Sequence, residues 1–359
     1  MKTHMKKNPP WEISRRSLLL GMGGALAAPM VIRSSGALAQ SSSVTFCGYG
    51  GSYQDIIVKH VLNPFTEETG IKVNVVPAPD LAKVKAQVMM GNVEWDVYDV
   101  TDSRAAFGST QGFWEELDPS IFDLADMAVP PQTDSVPFFV NTTGIAWDPN
   151  KFGPGKHPAN FVEFFDVEKF PGRRAMKAYA EGTFEEALLA EGVAPKDMYP
   201  LDVDRALKVL DRIKPLVVTW ATAPQQQITL LQTGEADYAQ LTVNRVKATT
   251  LPGAGGVPLA FSFEQNTFSN DMLTVIKGAP NKENAMKLLA YALRPETQAR
   301  VMEPLGFIPI SKKATTMLSA DAAKWLPDLS DPNSMFVDPS YWAENYDAVS
   351  RRFKEWILA

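Results

Sequence analysis

Enzyme chemistry at neutral pH usually starts from histidine, a metal cluster, an activated nucleophile or a phosphate loop. The chain has three histidines, His4, His60 and His157, and they are far apart in sequence. That spacing argues against a zinc site. No Gly-x-Ser-x-Gly elbow and no Walker loop occur. The adjacent carboxylates Glu67-Glu68 and Glu185-Glu186 could act as acid and base, but both pairs fall in helical stretches and read as solvated faces. Cys47 is the single cysteine, so no internal disulfide can form. The residue types therefore predict no catalytic residue, no metal and no cofactor, and leave the chemistry of recognition. Gly50-Gly51, just before a helix, could aim backbone N–H groups at an anion or simply make a tight turn. Tyr53 and Trp220 could stack on the carbon stem of a ligand or pack in a core.

The elements that must position these groups follow from periodicity. Residues 44–49 read as a strand, and Gly50-Gly51-Ser52 as a turn. From Tyr53, Ile56, Ile57, Val61, Leu62 and Phe65 recur with a helical period, which Gly70 ends. Residues 71–75 alternate as a strand, 81–90 are helical up to Gly91, and 95–100 form the next strand. Strand–helix–strand–helix–strand predicts the α/β class with a parallel sheet. Pro130, Pro131 and Pro137 then interrupt the chain. Residues 138–147 run extended, as a crossing between two lobes would. Alternation resumes over 173–263, with helices at 204–213 and 224–232. A strand at 271–276, an amphipathic helix at 281–293, a further helix opened by Pro295 and a last helix at 341–358 complete the order.

The N-terminus reads as an export signal. Lys2, Lys6, Lys7, Arg15 and Arg16 precede an apolar run at 18–28, and Ala37-Leu38-Ala39 offers a small-x-small cleavage site. Ser14-Arg15-Arg16-Ser17-Leu18-Leu19 fits the twin-arginine type. Residues 1–39 are therefore expected to be a cleaved twin-arginine signal peptide, and the location a periplasm. Six basic residues and one acid would leave with the leader. What remains is more acidic than the −6 of the whole chain. That charge disfavours nucleic acid as a partner. A hydrophobic content of 45% supports an ordinary globular core, and the length supports two lobes.

Five segments, in order, carry a resemblance. They are Phe65-Thr66-Glu67-Glu68-Thr69-Gly70-Ile71-Lys72-Val73; Trp95-Asp96-Val97-Tyr98; Leu231-Gln232-Thr233-Gly234-Glu235-Ala236-Asp237; Gly278-Ala279-Pro280-Asn281-Lys282-Glu283-Asn284-Ala285 with the following Leu293-Arg294-Pro295-Glu296; and Leu305-Gly306-Phe307-Ile308-Pro309. Together they resemble the periplasmic polyamine-binding protein family of ABC importers. The resemblance implies a two-lobe, class II periplasmic-binding-protein fold. Each lobe would be a mainly parallel sheet flanked by helices, and crossing hinge strands would join them. Lobe one would hold residues 41–142 plus 272–315, and lobe two 143–271 plus 316–359. It further implies a monomer that closes on a small amine-containing ligand, putrescine or spermidine, and delivers it to an ABC permease and its ATPase.

In such a fold the ligand meets loops at strand ends. That nominates Tyr49, Ser52, Tyr53, Thr101, Asp102, Thr142, Trp220, Arg245 and Asp271. Asp271 matches a carboxylate that holds an amine in polyamine-binding relatives, although Ser269-Asn270-Asp271 could equally cap a turn. Arg245 stands where some relatives place an arginine that grips a carboxylate, the alternative being a solvated helix residue. The chain departs from the polyamine pattern elsewhere. Val140, Thr242 and Ser269 replace the family's cleft tryptophans, and Glu181 is the one acid in the lobe-two segment that should be acidic. A diamine needs an anion at each end. Asp271 with Arg245 would instead suit a zwitterion: an ω-amino acid, an opine or an aminoalkyl phosphonate.

Overall fold

A computed structural model describes residues 43–77 and 80–359. The leader expected at 1–39 lies outside the described residues. The strands are β1 (Ser43–Gly48), β2 (Lys72–Pro77), β3 (Val97–Thr101), β4 (Ser135–Trp147), β5 (Arg174–Lys177), β6 (Val217–Ala221), β7 (Tyr238–Thr242), β8 (Ala260–Phe261) and β9 (Thr267–Val275), with two-residue strands at Ile308–Pro309 and Met335–Phe336. The main path of the sheet runs β2-β1-β3-β9-β4-β7-β5-β6. β1 pairs in parallel with β2 and β3, and β5 in parallel with β6 and β7. These are two parallel half-sheets, as the βαβ order requires.

The long strands β4 and β9 join the halves. They pair antiparallel from Ser135↔Thr274 to Thr143↔Thr267. Over Asp271–Val275, β9 also pairs with β3 of the first half. Over Thr143–Trp147, β4 also pairs with β7 of the second. Each strand thus changes its outer partner midway. The residue pattern predicts these strands from 138 and from 271. The structure starts them at Ser135 and Thr267, so Asp271 lies inside a strand and not in a turn.

Each half-sheet has apolar residues on both faces, and helices cover both. Alternation along β1 sends Val44 and Phe46 to one core and Cys47 to the other. The first core takes Phe65, Leu288, Leu289, Val301 and Met302 from the helices Asn63–Thr69, Lys282–Ala292 and Pro295–Leu305. The opposite face of that half packs on Leu81–Met90 and Asp102–Thr110. In the second half, Ile145 and Trp147 meet Thr183–Ala190, Val203–Ile213 and the C-terminal helix Pro339–Leu358. Ala146 faces Pro224–Gln232 and Val243–Thr249. The four clusters stay separate, two per half, which makes two lobes.

Candidate functional site

Two neighbouring cavities lie where the lobes meet along β4 and β9. The first, about 350 Å³, is lined by Tyr49, Tyr53, Phe139, Asn141 and Asp271 from the first-lobe side, and by Asn244 and Arg245 from the helix Val243–Thr249 of the second lobe. Its shape starts with two glycines. Gly50 (φ 77°) and Gly51 (φ 60°) adopt a backbone that side chains resist, and swing the chain from β1 into the helix Gly51–Ile57. Gly50 N–H donates to Gln54 Oε1 at 2.9 Å, so the pair makes a tight turn closed from within. The turn brings Tyr49 and Tyr53 edge to face, 5.6 Å between centroids. Tyr53 in turn meets Phe139, and Phe139 stacks on Phe307 at 4.2 Å. This row of rings makes a wall for an alkyl stem.

Behind Asp271 lies a second carboxyl. Tyr53 Oη donates to Asp99 Oδ2 at 2.7 Å, and Asp99 and Asp271 are close enough to share a hydrogen bond. Burial raises both carboxyls above their usual range, and for Asp271 the neighbouring Asp99 adds to it. Burial, and then these carboxyls, hold the Tyr49 and Tyr53 phenols well above their ordinary value. Among the described residues, five buried oxygens here lack a hydrogen-bond partner: Tyr49 Oη, Asp99 Oδ1, Asn141 Oδ1, Asn244 Oδ1 and Asp271 Oδ1. Buried acceptors left open are costly. An ammonium carries three donors and could satisfy up to three of them. On the opposite side, the exposed guanidinium of Arg245 has no hydrogen bond or ion pair among the described residues.

The second cavity, about 400 Å³, includes Thr101, Asp102, Ser103, Lys177, Glu181 and Gln227 in its lining, and shares Asn141 with the first. Asp102 accepts from Asn270 N at 2.7 Å and Ser103 N at 2.9 Å, tying the helix Asp102–Thr110 to β9. Burial still pushes it up to about 6. Burial raises Glu181 to about 8, reinforced by Asp102 and Glu185. Ser103 Oγ reaches Glu181 Oε2 across the gap at 3.4 Å. Lys177 Nζ donates to Thr143 Oγ1 at 2.7 Å, and burial lowers its pKa against the pull of Glu186 and Glu181.

The structure gathers Tyr49, Tyr53, Arg245 and Asp271 around the first cavity, and Thr101 and Asp102 around the second. It does not bring Thr142 to either. The two-residue period of β4 turns Asn141 and Thr143 toward the cavities, and Thr142 is fully buried on the other face. Trp220 sits on β6 at the sheet edge, with its ring edge-on to Phe353 and Trp356, in the second-lobe core. Packing is its role here. The side chain of Ser52 lies outside the described residues. Glu185 and Glu186 are fully buried, not solvated. Glu185 accepts from Gly182 N, Tyr199 Oη and Trp342 Nε1, and Glu186 from Gln240 Nε2 and Thr267 Oγ1. Asp99, Phe139 and Phe307 escaped the sequence reading. Only Asp99 left a signal, an acid in the middle of an apolar strand.

Residues 60–328 match the sequence profile of the bacterial extracellular solute-binding proteins. The chain belongs to that family. Its members are the solute-binding components of ABC transporters, and this solute-binding protein has the two-lobe fold of its structural neighbours. It is 30% identical to a gamma-aminobutyric acid-binding protein of Pseudomonas aeruginosa, over 89% of this chain and 92% of that one. A solved GABA receptor shares 32% identity with a TM-score of 0.80, covering 88% of this chain and 97% of the other. The spermidine/putrescine-binding periplasmic protein of Escherichia coli is 22% identical over 86% of this chain and 89% of its own. Among the described residues of this solute-binding protein, no helix is long and apolar enough to cross a membrane.

Proposed function

We propose that this solute-binding protein captures a small zwitterion of the ω-amino acid type and delivers it to an ABC permease and its ATPase. The observation that carries the reading is one cavity bordered by carboxyl-bearing Asp271 from one lobe and guanidinium-bearing Arg245 from the other. Asp271, backed by Asp99, faces the ammonium together with the oxygens that line the cavity beside it. Arg245, which has no hydrogen bond or ion pair among the described residues, faces the carboxylate. Tyr49, Tyr53 and Phe139 cover the stem between them. A guanidinium fork matches a carboxylate in two parallel bonds. The names of the GABA-binding relatives support the same ligand class. An opine or an aminoalkyl phosphonate presents the same pair of charges.

The polyamine reading stands second. Asp102 and Glu181 in the adjoining cavity favour it, since they could meet a second ammonium, although Lys177 beside them opposes it. The proposal includes a monomer acting in the periplasm without catalysis, exported by the 1–39 signal. It also places the lobe limits at 41–142 plus 272–315 and 143–271 plus 316–359. The change of partner along β4 and β9 supports those limits.

A thermal-shift panel tests the ligand. A compound at a hundred times its Kd adds about 2.7 kcal/mol of stability. GABA and its chain-length homologues should raise Tm, and putrescine should not. A shift with putrescine and none with any amino acid would reverse the order of the two readings.

A further inference from the structure

We propose that Asp99 and Asp271 hold one proton between them and offer the cavity a single negative charge, with Asp99 as the positioning residue behind the ligand-facing Asp271. The inference rests on the reading of this cavity as an ammonium site. β3 and β9 pair antiparallel with Asp99 opposite Leu273 and Thr101 opposite Asp271. Asp99 and Asp271 are therefore diagonal neighbours on one face. Asp99 is fully buried, Asp271 Oδ1 is out of contact with solvent, and no lysine or arginine forms an ion pair with either residue among the described residues. Two ionised carboxyls cannot stay in contact under those conditions. The groups facing the pair leave the same answer. Tyr49 and Tyr53 come from the turn and the helix Gly51–Ile57, Asp102 and Arg104 from the start of the helix Asp102–Thr110, and Arg245 from the second lobe, while Cys47 of β1 lies on the opposite face of the sheet. Only Tyr53 donates to the pair in good geometry, and it donates to Asp99.

In the empty cavity the proton sits on Asp271, and Asp99 is the anion that Tyr53 stabilises. When an ammonium docks on Asp271 Oδ1, the O–H bond on Asp271 breaks and one forms on Asp99. No proton leaves the pair. One ammonium then meets one negative charge, and no net charge is buried. A second anion there would be left uncompensated in the closed cleft.

The test combines a ligand-free measurement with two binding measurements. Infrared spectra of the ligand-free protein at neutral pH should show a neutral carboxylic acid band that is missing from the Asp99→Asn/Asp271→Asn double variant. Identical spectra in that region would overturn the proposal. Calorimetry of GABA binding to the wild type, in two buffers of different ionisation heat, should show no net proton change. Release of about one proton would overturn it, and this arm needs no variant to fold. Asp99→Asn should keep GABA affinity within about tenfold, because its amide donates to Asp271 as the shared proton does. A larger loss at unchanged Tm would overturn the assignment. If the wild type binds no amine, the ligand reading fails, while the ligand-free spectrum still decides the shared proton.

Discussion

Lys247 Nζ donates to the main-chain oxygen of Glu303 at 2.8 Å, and the bond joins the second lobe to the first. Glu303 lies in the last turn of the helix Pro295–Leu305, where carbonyls lack helical partners and favour a cation. The Glu303 carboxylate is occupied elsewhere, on Ser319 N at 3.0 Å and on Ser319 Oγ. Next to it, Gly306 caps the helix with φ 75°, and a Cβ there would lie 2.8 Å from Lys247 Cδ. Lys247→Met should therefore weaken every ligand by a similar factor, about tenfold, matching the ~1.5 kcal/mol of a hydrogen bond to a charged group. Stopped-flow release rates should carry the change. A loss confined to one ligand class would mean that Lys247 touches the ligand.

Arg245→Ala should act differently. It removes the carboxylate grip and leaves the ammonium end intact. Amino acid affinity should fall at least 30-fold, or about 2 kcal/mol, while any binding of diamines stays or improves. Titration calorimetry with GABA and putrescine reads both. Full GABA affinity in this variant would end the zwitterion reading.

Glu185 closes the start of the helix Thr183–Ala190 and receives three donors, from Gly182 N at 2.9 Å, Tyr199 Oη at 2.7 Å and Trp342 Nε1 at 2.6 Å. Glu185→Ala strands them in a dry interior and should cost about 3 kcal/mol or more. Glu185→Gln keeps an acceptor and should cost less. Denaturant midpoints give the comparison, and equal effects would show that volume, not acceptance, matters there.

The pH dependence follows from Glu181. Folded, it holds its proton up to about 8, because burial and then Asp102 and Glu185 oppose its charge. Unfolded, it releases the proton near 4.5. Between those values the folded state binds more protons than the unfolded state, so stability falls as pH rises through the window and levels off above it. The Tm of the ligand-free protein should fall between pH 5 and pH 8 by a few degrees more than that of Glu181→Gln. Parallel curves for the two proteins would refute this.

Much of the fold was legible in the sequence because the apolar period is strong. The βαβαβ start appears where the residues at 44–100 place it, and the extended run at 138–147 lies within β4. The site was legible only in part. Tyr49, Tyr53, Arg245 and Asp271 could be nominated because ligand groups sit at strand ends. Thr142 was one residue out, since nothing in Asn141-Thr142-Thr143 says which face is which until β4 pairs with β9. Trp220 failed because an aromatic on an edge strand serves a core as well as a cleft. Glu185 and Glu186 failed because their partners, Trp342, Thr267 and Gln240, are remote in sequence.

The cores divide the chain in a way that bears on its synthesis. Both halves borrow from late parts of the sequence: β9 and the helices Lys282–Ala292 and Pro295–Leu305 complete the first, and Trp342, Val349 and Phe353 of the last helix complete the second. A ribosome that stalls after residue 260 would release two unfinished halves instead of one finished piece and one missing piece. Cutting the gene at the visible boundary between the lobes would likewise not yield two working parts.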